Sequence, residues 1–189
     1  LLDPARCQRL ADMAKGSEYS LDLRVSIDGY TAEANDAIRG EGTFERILTG
    51  VANAVEAGLN PVITVTEVHA DNGTDPGRRR FLELLSERGI VRPRLKILPV
   101  FRLGAEAERS GTYEDWQRLS AADTLEEGWE HLQCSSSRMV TDQGVWVCPI
   151  LVNEPAGRMG ARLADTLGDF PLDHQACWTC HVYEVSCRT

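Results

Sequence analysis

Pro61-Val-Ile-Thr-Val-Thr66 is a run of β-branched residues opened by a proline. It predicts a strand, because branched Cβ atoms suit a pleated backbone and proline is tolerated at a strand's first position. Upstream, Phe44, Ile47, Leu48, Val51, Ala52 and Val55 recur at three- and four-residue steps. That is one buried face of a helix running from an N-cap at Thr43 to about Ala57, with Gly58 at the left-handed capping position. Further upstream, Leu21, Leu23, Val25 and Ile27 alternate with Asp22, Arg24 and Ser26, the period of a strand, closed by the turn signal Asp28-Gly29. Downstream, Asp75 as N-cap and Pro76 at N1 open a helix with Phe81, Leu82, Leu84 and Leu85 on its apolar side, ending at Gly89. Leu95 to Val100 reads as a third strand. The strands start about 35–40 residues apart with a helix between neighbours, the βαβ rhythm of a parallel sheet. Residues 3–15 read as a helix before the first strand.

Beyond residue 101 the rhythm breaks. The expected organisation is an α/β unit over 1–105, bridging helices over 106–133 (short ones near Tyr113–Leu119 and Thr124–Leu132), and a cysteine-rich module over 134–189. In that module Arg138–Thr141 and Val145–Val152 flank Asp142-Gln143-Gly144, a hairpin pattern. A helix is expected near Met159–Leu167. Five of the six cysteines lie here: Cys134, Cys148, Cys177, Cys180 and Cys187. Clustered thiols in a chain without a secretion signal favour zinc or iron–sulfur over disulfides. Cys7, on the first helix, reads as a small buried apolar residue.

The formal net charge of −9 argues against nucleic-acid binding, whose affinity comes from clustered Lys and Arg. Arg78-Arg79-Arg80 is the one basic run and reads as a solvated helix face. No apolar stretch approaches the ~20 residues that span a bilayer. A soluble, reducing, cytoplasmic setting without a membrane is expected.

Sites in parallel α/β sheets gather at the carboxyl ends of strands. There the first strand offers Ser26 and Asp28 on one face, and the second offers Thr66 and Glu67. Asp28-Gly29 equally reads as a simple turn. In the loop Asp36–Phe44, Arg39 beside Gly40 and Gly42 can hold a carboxylate or phosphate, or pair with Asp36. Tyr113, Trp116, Trp129 and Trp146 read as cavity lining or as core.

Taken together, Val25-Ser-Ile-Asp-Gly29, Asp36, Arg39-Gly-x-Gly-Thr-Phe44 and a helix ending Glu56-Ala-Gly58 resemble the middle of a radical S-adenosylmethionine enzyme barrel. Cys134-x9-Gly144-x3-Cys148, followed by Cys177-x-x-Cys180 and Cys187, resembles the SPASM or twitch auxiliary-cluster modules of that family. The resemblance covers roughly residues 20–189 and implies a partial (β/α) TIM-like barrel of three parallel strands, followed by a small hairpin-plus-helix module. It implies that Ser26 lies against the cofactor's ribose, that Arg39 meets its methionine carboxylate, and that Asp28 contacts ribose or substrate. Four of the five cysteines would hold a [4Fe–4S] cluster, two of them drawn from Cys177, Cys180 and Cys187. In the complete enzyme the implied chemistry is cleavage of S-adenosylmethionine to a 5′-deoxyadenosyl radical that abstracts hydrogen from a small-molecule or peptide substrate. The implied electron donor is a flavodoxin or ferredoxin.

The sequence departs from the family pattern in three ways. It lacks the Cys-x-x-x-Cys-x-x-Cys loop, it lacks the Gly-Gly-Glu segment, and its Gly144-to-Cys148 spacing is one residue short. These departures, with a first residue already in helix and a last cysteine near the end, lead to the expectation of the second half of such an enzyme. That half would be inactive alone and prone to associate through an unpaired sheet edge. Two other readings stay open: a zinc-binding module for protein contacts on an α/β scaffold, and a metal-independent barrel enzyme with Asp28 or Glu67 as base.

Overall fold

A computed structural model describes residues 2–120, 123 and 132–185. The chain divides into two compact units, residues 1–100 and 101–189.

The first unit is built around a parallel three-stranded sheet. Helix α1 (Pro4–Lys15) precedes β1 (Arg24–Ser26), then come α2 (Ala32–Arg39), α3 (Thr43–Glu56), β2 (Val62–Thr66), α4 (Asp75–Glu87) and β3 (Arg94–Leu98). The order is β1-β2-β3, with Ser26 opposite Thr64 and Thr66 opposite Leu98. Period-two alternation sends Ile27, Ile63 and Val65 into one apolar core with Phe44, Leu48, Val51, Phe81 and Leu85 from α3 and α4. Burying each such side chain contributes roughly 1.5–3 kcal/mol. Ser26, Thr64 and Thr66 therefore share the other face of the sheet.

The strand positions match the sequence reading within a few residues, although β1 is shorter than Leu21–Ile27. Three local features differ. Residues 32–39 form α2 rather than a loop, started by Thr31, whose side chain accepts from the Ala34 N–H. Gly42, left-handed at φ 71°, caps α3, and Thr43 is its first helical residue. Thr74 rather than Asp75 caps α4, its hydroxyl accepting from the Gly77 N–H. Both neighbours are cap-type residues, and the one whose oxygen reaches an orphan N–H takes the role. Gly58 is left-handed as expected, at φ 82°, and Cys7 is fully buried.

In the second unit α5 (Ala105–Ser110) precedes a turn-rich stretch in place of the expected Tyr113–Leu119 helix. The hairpin forms from β4 (Met139–Thr141) and β5 (Gly144–Trp146). Residues 158–160 are not helical: Arg158–Gly160 is β6, which pairs antiparallel with β5, and a 3₁₀ turn follows at Leu163–Thr166. A strand wins because β5, carrying buried Val145 and Trp146, gains a second hydrogen-bonded edge. Helix α6 (Gln175–Val182) bears Cys177 and Cys180. The expected helix over Thr124–Leu132, apart from its non-helical last residue, lies outside the described residues, as do Trp129 and Cys187. No described helix is long and apolar enough to cross a membrane.

Candidate functional site

At the carboxyl end of the sheet, Asp28 is buried at 4% exposure. Its Oδ1 accepts the Thr66 N–H at 3.2 Å, and its Oδ2 lies 2.8 Å from the Arg39 Nε. Arg39, at the last residue of α2, thus pairs with Asp28 and not with Asp36. Asp36 is used otherwise: its carboxylate accepts from the Gly42 and Phe44 N–H groups at 2.7 and 2.8 Å, and from the Asn35 amide at 3.0 Å. Those donors, the Asn35 amide foremost, hold the Asp36 carboxyl below its usual range.

Two fully buried asparagines, which the sequence reading missed, fix the strand ends. Asn35 Oδ1 accepts the Asp28 N–H at 3.2 Å. Asn72 Nδ2 donates to the Asp28 and Thr66 carbonyls at 2.9 and 2.8 Å. The available signal was an Asn placed a few residues beyond a strand end, but choosing a partner needs the fold. Asn72 Oδ1 and Thr64 Oγ1 are buried without a hydrogen-bond partner among the described residues, an arrangement that costs free energy unless a ligand or water serves them.

Ser26 and Arg39 line one cavity of about 410 Å³ with Thr43 and Arg46, within the ~300–1,000 Å³ range of small-molecule sites. Arg46 has no protein partner among the described residues. Four of the proposed contacts, Ser26, Asp28, Arg39 and Thr66, thus stand at one end of β1 and β2. Glu67 continues β2, with its N–H on the Leu98 carbonyl at 2.9 Å. Arg80, from the basic run, meets Asp71 and Tyr30, the latter at 2.6 Å.

In the second unit Cys134, Cys148, Cys177 and Cys180 line a single apolar pocket with Val147, Leu151 and Ala176. The supply lines differ. Cys134 sits in a 3₁₀ turn (Gln133–Ser135), Cys148 follows β5, and Cys177 and Cys180 are three apart on α6, hence on neighbouring faces. The described cysteines form no disulfide. Cys177 is 9% exposed, and its thiol is pushed up to about 12 by burial, then by the proximity of Cys134 and Cys148. Gln133 also lines this pocket, and its Oε1 is buried without a hydrogen-bond partner among the described residues. Among the described residues no three His, Cys, Asp or Glu side chains stand close enough to hold one metal ion. The pocket closes to about 30 Å³, room for roughly one or two waters, so a larger guest requires the thiols to turn outward.

His174 caps α6, its Nδ1 accepting the Ala176 N–H at 3.1 Å. Tyr113, whose hydroxyl is 2.8 Å from Thr179 Oγ1, packs beside this helix. Trp116 is exposed and meets Trp178 edge to face, whereas Trp146 is buried.

Parts of the chain are similar to curated mycofactocin maturases MftC. The match is 47% identical over 39 residues with that of Mycobacterium tuberculosis (strain ATCC 25618 / H37Rv), covering 21% of this chain and 10% of the relative. It is 36% over 58 residues with that of Mycolicibacterium smegmatis, covering 29% and 14%. With that of Mycobacterium ulcerans it is 44% over 39 residues, covering 21% and 11%. The matched stretches therefore span only about a tenth to a seventh of these relatives. No family model and no solved structure matches the chain.

Proposed function

We propose that this chain is part of a radical S-adenosylmethionine enzyme in which Cys134, Cys148, Cys177 and Cys180 hold an auxiliary [4Fe–4S] cluster. The short matches to the maturases, which are enzymes of that class, support the coarse family reading. The observation that carries the finer reading is the convergence of four cysteines, from three separated stretches, on one apolar pocket.

The residues present suit such a group. Four soft sulfur donors line an apolar cavity that Gln133 also lines, its amide oxygen unpartnered among the described residues. Around one zinc all four sulfurs would lie about 2.3 Å from a single point. A cluster gives each thiolate its own iron. When bound, the cluster supplies one-electron chemistry. The chain's part is to orient it and exclude water through Val147, Leu151 and Ala176.

In the first unit, the proposed role of Arg39 is to meet the carboxylate of S-adenosylmethionine, and that of Ser26 to bond the ribose; their shared lining of one cavity supports this. Thr66 contributes the N–H that holds Asp28, so Asp28 orients Arg39 as well as facing the ligand. The proposed substrate is a peptide, and a flavodoxin- or ferredoxin-type donor delivers the electron.

Anaerobic reconstitution followed by iron and sulfide analysis and visible spectroscopy tests the reading. About four irons per chain with a broad band near ~400 nm is expected, halved or worse by Cys148→Ala. One zinc per chain and no colour would select the binding-module reading instead.

A further inference from the structure

Arg138 lies four residues after Cys134, at the foot of β4, and its guanidinium is spent wholly on backbone oxygens. Nη1 donates to the Cys134 carbonyl at 2.6 Å and to the Ser137 carbonyl at 2.8 Å. Nε donates to the Thr166 carbonyl at 3.2 Å, and Nη2 to the Gly168 carbonyl at 3.3 Å. No carboxylate pairs with it among the described residues. Within the turn itself the Ser135 and Ser137 hydroxyls donate to the Leu132 and Gln133 carbonyls. Arg138 thus links that turn to the loop at 163–168, whose own Thr166 is buried.

A guanidinium is a planar fork that can bridge several acceptors, whereas a lysine ammonium is a point charge on a flexible stem. It also keeps its charge at any working pH. Four thiolates around a cluster are an accumulation of negative charge, and the Arg138 cation, paired with no acid among the described residues, sits against the backbone of one of them.

The geometry points to Arg138 as a positioning residue for the thiol pocket, clamping the Cys134 turn in place and offsetting the charge of the sulfur cage. The charge part rests on the cluster reading given above, and the clamping part does not.

The test uses the full chain with Arg138→Lys and Arg138→Gln. In the metal-free protein, iodoacetamide labelling is read residue by residue by mass spectrometry. Cys134 labelling is expected to rise about tenfold in both variants, the least that losing hydrogen bonds to a charged group should give, with Cys148 and Cys180 unchanged. In the reconstituted protein, Arg138→Lys retains its iron and its reduction potential, because the charge survives. Arg138→Gln shifts the potential negative or loses the iron. Unchanged Cys134 labelling in both variants overturns the clamp. Equal potentials for Lys and Gln variants overturn the charge role, since a purely structural residue would give that result. Should the wild-type chain take up no iron, the cluster reading fails, and the charge role with it, while the labelling still decides the clamp.

Discussion

The buried pair Asp28–Arg39 ought to be the most sensitive point of the first unit. Asp28 is nine-tenths buried or more and uses both oxygens, one on the Thr66 N–H and one on Arg39. Arg39→Gln leaves that carboxylate buried with a single donor. Removing one partner of a buried pair costs about 3–5 kcal/mol, and because the Arg39 side chain is 33% exposed the lower end, ~3 kcal/mol, applies. Asp28→Asn keeps an acceptor for Thr66 but turns an amide toward the guanidinium, for about 2–3 kcal/mol. The double variant removes charge from both sides, so the cycle should show a coupling of about 1.5–3 kcal/mol. All four tryptophans, Trp116, Trp129, Trp146 and Trp178, belong to the second unit. Tryptophan fluorescence therefore follows the second unit, while far-UV circular dichroism includes α1 to α4 in the first. Each single variant should lower the dichroism midpoint by about 10–20 °C and leave the fluorescence transition in place. Additive costs, with a coupling below ~0.5 kcal/mol, would refute the claim that this pair organises the strand ends.

Other outcomes follow from the same geometry. A Cβ on Gly29 would stand 2.5 Å from the Asn35 nitrogen and 2.7 Å from the Ala34 Cβ, so Gly29→Ala should cost ~2 kcal/mol by overpacking, read as a lowered dichroism midpoint. An unchanged midpoint would show that α2 can shift. Asp36, held below its ordinary pKa chiefly by the Asn35 amide, stabilises the fold above the unfolded carboxyl's pKa. That stability goes as pH falls through the lower folded value. Asp36→Asn should be less stable at pH 7 yet flatter between about pH 5 and 2, and parallel acid curves would contradict this. Cys177 works in the opposite sense. Its thiol is raised from 9.0 to about 12, so the native state keeps a proton that the unfolded state loses. The metal-free second unit should weaken as pH climbs from about 9 toward 12, by at most ~4 kcal/mol. Fluorescence-detected urea melts of wild type and Cys177→Ala should diverge over that range, and equal slopes would remove the burial argument.

The three strands were legible because each is a short β-branched or alternating run bounded by Pro, Gly or Asp, and because their burial is decided locally by side-chain period. Helix α2 was not, since Ala34, Ala37 and Ile38 offer too little apolar surface to mark a face; Thr31 as a cap was its usable signal. The 158–160 strand was hidden for a different reason. Met159, Leu163 and Leu167 have helical spacing, and only the unpaired edge of β5, distant in sequence, overrides it. At the candidate sites residue type nominated the cysteines and Ser26, Asp28, Arg39 and Thr66, but partner choice was invisible. Arg39 had two acids within reach along the chain, and the nearer one, Asp36, is consumed by the N-terminus of α3.

That difference explains why polar residues outnumber chemical motifs as guides to these sites. A buried polar group must be paired, so an atom left unpaired marks where something else belongs. In the first unit, among the described residues, unpartnered Thr64 Oγ1 belongs to the sheet face shared by Ser26 and Thr66, and unpartnered Asn72 Oδ1 to the residue that ties the Asp28 and Thr66 carbonyls. In the second, Gln133, whose Oε1 is unpartnered among the described residues, lines the pocket of the four cysteines. Both clusters thus combine ligand-type side chains with unmet hydrogen-bonding capacity, whereas the apolar core between β2, α3 and α4 has none. A purely structural role for the cysteines would predict the reverse, a pocket filled by its own thiols with every neighbouring polar atom already satisfied.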